Sequence, residues 1–277
     1  MNDLLKRTIS GVVFLVVMVA GILLHPLGFG VLFLLVMYFA MSEFMRVTMG
    51  NAWLFQQKMA ILTSSVAFCI IMGHCCYGLD LKWLVLALLP FCLIPLSVVF
   101  APRHDGVERV ALAYMAILYA GVPFCLTPFI VMSEEGVFQG WLLLNVFIII
   151  WCSDVGAYSL GTLFGQRPTS RKLAPAISPK KSYWGLWGGI ITSLLGAWIL
   201  NLVGWMPYSL LHSLAIGLLI PVAGVCGDLF ESVWKRRFGY KDSGNLIPGH
   251  GGMLDRFDSS LFAIPVVFVY LYIFGLL

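Results

Sequence analysis

Nine stretches of this chain are apolar over about the length that a helix needs to cross roughly 30 Å of hydrocarbon. They run over about 8–24, 28–45, 59–78, 81–101, 107–132, 138–164, 183–204, 208–230 and 258–277. In lipid every backbone N–H and C=O must be satisfied within the segment, so such a succession can only be a bundle of helices. The expected fold is all-α, a polytopic integral membrane protein with about nine transmembrane helices. Residues 1–277 are expected to form a single membrane domain, with N-terminal helices over 1–137 and the helices that carry the long polar loops over 138–277. Only 11% of residues are charged, against about 25% in soluble domains. The first stretch follows Lys6 and Arg7 as a signal peptide would. It is long for a signal core and many spans follow, so it reads as a retained anchor. His25-Pro26-Leu27 implies a tight hairpin, and residues 46–58 are expected to form a short surface helix. Gly121-Val122-Pro123 and Pro128 should bend the fifth span. The seven cysteines follow no zinc or disulfide spacing.

Basic residues alternate with the spans. Lys6 and Arg7, Arg46 and Lys58, Arg103 and Arg109, the five cations of 167–181 and the five of 235–256 place 16 of 17 on one side. Lys82 alone lies opposite, with Glu134 and Glu135. The positive-inside rule puts the N-terminus and both long basic loops in the cytoplasm and the C-terminus outside. The membrane is expected to be the cell membrane.

One insert breaks the apolar pattern. Ser232–Asp258 reads SVWKRRFGYKDSGNLIPGHGGMLDRFD, dense in cations, carboxylates and glycine. Two acids also stand inside apolar runs, Asp154 and Asp228. A carboxylate there is costly unless paired, hydrated or bound to a cation. Asp154 reads equally as a functional group or as a structural partner for a cation at a helix end. Past Asp228, helical spacing puts Glu231, Ser232 and Lys235 on its face. Asp255 and Asp258 are three apart at the start of the last helix, on one face of its first turn. Two carboxylate-bearing helix faces are thus expected to meet at the cytoplasmic membrane edge. Between them Gly249, Gly251 and Gly252 flank His250, and glycines let several N–H groups aim at one anion. The loop Gly165–Tyr183 carries Ser178-Pro179-Lys180-Lys181, a turn before a helix that suits phosphate binding or anionic lipid headgroups.

These residues resemble the signature of the phosphatidate cytidylyltransferases, also called CDP-diacylglycerol synthases. Ser232, Lys235, Arg236, Lys241, Asp242, Gly244, Pro248, His250, Gly251, Gly252, Asp255, Arg256 and Asp258 stand at the family's spacing. SDVGAYSLGTLFG at 153–165 and SPKK at 178–181 resemble two further segments of it. Trp234 replaces a residue that is usually aliphatic or Phe, and Trp184 stands where Glu is common. The resemblance covers about 150–260.

It implies transfer of CMP from CTP to phosphatidic acid, giving CDP-diacylglycerol and pyrophosphate for phospholipid synthesis. It further implies Mg2+ or another hard divalent cation, with a second, monovalent cation left open, and a homodimer among membrane lipids, with no nucleic acid partner. In this reading Asp228, Asp255 and Asp258 hold the metal, with Asp242 beside them. Lys235, Arg236, Lys241 and Arg256 neutralise the triphosphate, helped by Lys180 and Lys181. His250, Gly251 and Gly252 contact phosphate oxygens, and Ser232 is an orienting hydroxyl rather than a nucleophile. The alternatives are a CTP-dependent kinase or cytidylyltransferase acting on another lipid, and a transporter with Asp154 and Asp228 along an ion path. Transporters commonly carry inverted repeats, and none is visible here.

Overall fold

The computed structural model describes residues 3–100, 105–133 and 136–277; Arg103, Glu134 and Glu135, used in the charge count, lie outside the described residues. Its helices are α1 (Asp3–Leu23), α2 (Pro26–Met49), α3 (Leu54–Tyr77), α4 (Leu88–Phe100), α5 (Gly106–Ala116), α6 (Val122–Val131), α7 (Gly140–Leu163), α8 (Tyr183–Leu202), α9 (Leu210–Arg237) and α10 (Leu254–Ile273). A short ribbon, β1 (Lys172–Ala174) and β2 (Ser178–Ser182), precedes α8. The protein is an all-α polytopic membrane protein. Among the described residues seven helical stretches are long and apolar enough to cross a membrane, and one of them, Pro26–Tyr77, contains both α2 and α3. Arg7–Leu23 is a shorter apolar helix. Helix is present in each of the nine expected segments.

Local chemistry accounts for the helix ends. Pro26 opens α2 at the position where its missing N–H costs nothing, and His25 Nδ1 accepts from Leu27 N–H at 3.1 Å. Gly50, at φ 64°, ends α2. The expected surface helix over 46–58 is absent. α2 continues to Met49, a 3-10 turn spans Gly50–Trp53, and Trp53 is buried. The apolar surface of Trp53 favours packing over display. The fifth span is interrupted by a π turn, Ile117–Gly121, just before Pro123. Proline cannot donate to the carbonyl one turn back, and a wider turn absorbs that loss.

The chain divides into two compact units, Met1–Gly140 with Asp242–Phe257, and Trp141–Lys241 with Asp258–Leu277. The polar insert is therefore shared, its first part belonging to one unit and its glycine loop to the other. The first unit is built on aromatic packing. Phe29, Phe33, Phe44, Phe124 and Phe257 are fully buried, and the Phe124 and Phe257 ring centroids are 5.5 Å apart. Between membrane helices such rings hold by close packing rather than by leaving water, and Phe257 fastens the start of α10 to the N-terminal helices.

The second unit is built on small residues. A Cβ at Gly156 would strike the Gly188 carbonyl, and one at Gly227 would strike the Asp258 carbonyl. Thr192 Oγ1 donates to the Cys152 carbonyl at 2.7 Å, joining α8 to α7. Close backbone approach with hydroxyl bridges is how helices adhere where lipid removes the hydrophobic drive. Ser178–Lys181, expected as a turn, is a strand paired antiparallel with β1. The turn comes earlier, around Pro175. Ser182 then caps α8, accepting from Gly185 N–H at 3.2 Å.

Candidate active site

α9 runs unbroken to Arg237, so the polar stripe foreseen from its spacing lies on one helix. Lys235 Nζ meets Glu231 Oε2 at 2.8 Å, one turn apart, and Glu231 is fully buried. One turn earlier, the Lys181 ammonium from β2 pairs with Asp228 Oδ2. Asp228 and Lys181 share a cavity of about 310 Å³ with Asp154, Tyr158, Lys180 and Ser259. Asp258, early in α10, accepts from Ser259 N–H at 2.7 Å. Its carboxylate lies near enough to Asp228, Asp154 and Lys235 to interact with their charges. Asp154, left open between two roles by the sequence, therefore faces a cavity that also holds cations.

The remaining residues of this unit are more exposed. Ser232 is half-buried on α9, Lys180 and Lys241 are exposed, and Arg236 Nη1 donates to the Tyr240 carbonyl at 3.2 Å. Lys180 is held through its backbone, which accepts from Gln166 Nε2 at 2.9 Å. An ion pair as exposed as Lys181–Asp228 adds little to stability. Its significance is that a carboxylate and an ammonium are poised beside a cavity, where either can exchange its partner for a ligand.

The glycine loop, in the other unit, is organised differently. Ser243 N–H donates to Asp255 Oδ1 and Oδ2 at 3.1 and 3.0 Å, and Gly252 N–H donates to Asp255 Oδ2 at 2.8 Å. Asp255, in the first turn of α10, thus closes the loop on itself. Gly249 and Gly251 have φ of 78° and 85°, a region other L residues avoid. Ile247 N–H donates to the Gly251 carbonyl at 3.0 Å, so the intervening Pro-Gly-His forms a tight turn. His250 Nδ1 lies 3.0 Å from Ser10 Oγ of α1. Asp242 and Arg256 are exposed. Asp255 and Asp258, expected on one face, take different partners.

Sequence reasoning passed over the residues that hold this loop. Glu43 of α2 is buried, at 5% exposure, and its Oε2 accepts from Ser243 Oγ at 3.0 Å and Leu254 N–H at 2.9 Å. Arg46, one turn on, donates to the Ser243 carbonyl at 3.2 Å. A signal was present: Glu43 is an acid inside the apolar run 28–45, the criterion that singled out Asp154 and Asp228. Among the described residues no group of three His, Cys, Asp or Glu is arranged to hold a metal ion by itself. A hard divalent cation that keeps waters and takes substrate phosphates needs only one or two carboxylates.

Similar proteins agree with this chemistry. A phosphatidate cytidylyltransferase of Bacillus subtilis is 32% identical over 99% of this chain and 100% of its own length. One from Staphylococcus saprophyticus is 32% identical over 94% of this chain and 96% of its own. One from Haemophilus influenzae is 46% identical over 49% of this chain and 47% of its own. The sequence pattern of the cytidylyltransferase family, whose members are nucleotidyltransferases, matches residues 5–274. With a match over nearly its whole length and relatives that align end to end, this chain belongs to the cytidylyltransferase family.

Proposed function

We propose that this chain transfers CMP from CTP to phosphatidic acid, and that the cavity beside Asp228 is where charge is managed in that reaction. Phosphatidate cytidylyltransferase is the activity named for relatives that align with the chain from end to end. An oxygen of the phosphatidate phosphate attacks the α-phosphorus of CTP. A new P–O bond forms, the bond from the α-phosphorus to the α,β-bridging oxygen breaks, and its electron pair leaves on pyrophosphate. The attacking phosphate is already ionised near neutral pH, so no base and no covalent enzyme intermediate is needed. Catalysis of this kind is chiefly positioning and electrostatic stabilisation.

The observation that carries the reading is the Lys181–Asp228 pair in a cavity that also presents Lys180 and Asp154. Lys180 and Lys181 suit the triphosphate and the leaving pyrophosphate. Asp154, Asp228, Glu231 and Asp258 outnumber Lys180, Lys181 and Lys235 by one in this neighbourhood. That excess of negative charge fits a hard divalent cation such as Mg2+, which Asp228 and Asp258 would hold. Such a cation, when bound, offsets the charge of the phosphates. Lys235, Arg236 and Lys241 supply further positive charge, and Ser232 orients a substrate oxygen. In the glycine loop His250, Gly251 and Arg256 are offered to phosphate oxygens. Asp255 and Gly252 maintain the loop, with Asp242 at its entry. Phosphatidate lies in the bilayer and CTP in water, so a site at the cytoplasmic membrane edge reaches both. The basic bias supports a cytoplasmic edge shared by the N-terminus and the two long loops, in what we take to be the cell membrane.

Purified protein given phosphatidic acid, Mg2+ and CTP labelled at either the α or the γ phosphate tests the reading. Label from the α position should enter lipid, with pyrophosphate released in equal amount. Entry of γ label instead would establish a kinase and overturn it.

A further inference from the structure

We propose that Glu43 is a positioning residue for cytidylyl transfer, acting from the N-terminal helices through the loop Ser243–Leu254. The inference rests on the reading of that loop as a phosphate contact. A carboxylate in the interior of an apolar helix is expensive, and one retained there has work that an apolar residue cannot do. Glu43 Oε2 accepts two hydrogen bonds from opposite ends of the loop, from Ser243 Oγ at 3.0 Å and Leu254 N–H at 2.9 Å. It therefore clamps the first and last residues of a segment that carries His250, Gly251 and Gly252.

The neighbouring residues are shaped to this clamp. A Cβ on Gly252 would strike both Glu43 Oε2 and Ser243 Oγ, and one on Gly244 would come within 2.5 Å of Glu43 Oε1 and 2.9 Å of Arg46 Nη2. Two signature glycines thus have a local reason to be glycine: they admit a buried carboxylate against the backbone. Arg46 adds a second hold by donating to the Ser243 carbonyl at 3.2 Å. Ser243 is the node of the arrangement. Its N–H goes to Asp255, its hydroxyl to Glu43 and its carbonyl to Arg46. The chain is held at every polar atom of one residue, and that residue connects the N-terminal helices to the signature loop within one compact unit.

The consequence is specific to one substrate. A loop that contacts the triphosphate should lose nucleotide affinity when its clamp is removed, while recognition of the lipid is left alone. Glu43→Ala should raise KM for CTP by about 10- to 100-fold, as displacement of positioning groups does, with KM for phosphatidic acid within about twofold of wild type. Glu43→Gln keeps an acceptor oxygen and should recover most of the loss. Ser243→Ala should share the CTP effect, and the double variant Glu43→Ala, Ser243→Ala should be little worse than Glu43→Ala alone.

Hydrogen exchange of the substrate-free variants supplies a readout apart from turnover. Amides of 243–254 should exchange faster in Glu43→Ala while those of α9 do not change. Equal rises in both KM values, or a fall in kcat with both KM values intact, would overturn the proposal. So would unchanged exchange in the loop. Failure of the wild-type protein to move α label into lipid would instead refute the site reading itself, and the exchange result would still report whether Glu43 holds the loop.

Discussion

Asp228 is met by a lysine ammonium, whereas Asp255 is met by backbone N–H groups. The same contrast separates their surroundings. Around Asp228 the neutralising partners are side chains, Lys181 on Asp228 and Lys235 on Glu231, beside an open cavity. Around Asp255 and Glu43 the partners are peptide N–H groups and a serine hydroxyl, and the acids are enclosed by glycines. An ammonium on a flexible stem can leave a carboxylate for a phosphate and return. A peptide N–H cannot move without the fold. The first arrangement is suited to exchanging partners during a reaction, and the second to keeping a loop in one shape.

The sharpest separation should come from the isosteric change Asp228→Asn. Charge is lost while shape is kept, so phosphate and cation management fail, with turnover falling by about 10²- to 10³-fold or more. Thermal stability should change little, since a partly exposed ion pair contributes little and losing one carboxylate relieves its repulsion from Asp258. Rates measured on α-labelled CTP together with a melting curve check both halves. Substantial turnover in this variant would remove Asp228 from the chemistry.

Asp255→Asn should show the opposite balance. Asn has one acceptor oxygen and one NH2 group, and an NH2 facing the Ser243 or Gly252 N–H would oppose donor to donor. Two charge-assisted hydrogen bonds weaken, at a cost of about 2–4 kcal/mol. The melting temperature should fall by several degrees and activity should drop with it, less steeply than for Asp228→Asn. If Asp255→Asn leaves stability intact yet abolishes turnover, then Asp255 belongs with Asp228 and the contrast fails.

The sequence carried the architecture because lipid allows so few solutions: apolar length and the position of Pro26 are each local signals. It carried α9 for the same reason, since Asp228, Glu231 and Lys235 declare one face by spacing alone. Other features were hidden because they depend on partners outside the segment in which they were read. Ser178–Lys181 became a strand because Lys172–Ala174 lies beside it. Asp255 accepts from Ser243 and Gly252 N–H groups, a loop closure that its spacing from Asp258 did not announce. Glu43, about 200 residues from Ser243, was visible as an acid in an apolar run, but nothing near it in the sequence suggested the glycine loop as its partner. The part of the chain with the weakest motif content therefore holds the part with the strongest.

The mildest effect should come from Ser10 of α1. Its Oγ lies 2.8 Å from the Pro248 carbonyl and 3.0 Å from His250 Nδ1. A hydroxyl has one proton to give, and if it goes to the carbonyl, Ser10 must accept from His250 Nδ1–H. That fixes the ring with Nε2 as the atom left for a ligand. Unlike Glu43, Ser10 is neutral and stands near the exposed start of its helix, so water can replace much of what it supplies. Ser10→Ala should therefore cost about 1 kcal/mol, or roughly fivefold in kcat/KM for CTP, with the melting temperature nearly unchanged. His250→Ala should cost more, because the ligand-facing group itself is gone. A Ser10→Ala variant as impaired as His250→Ala would mean that α1 sets the imidazole rather than supports it, and the enclosed centre would then depend on α1 as much as on α2.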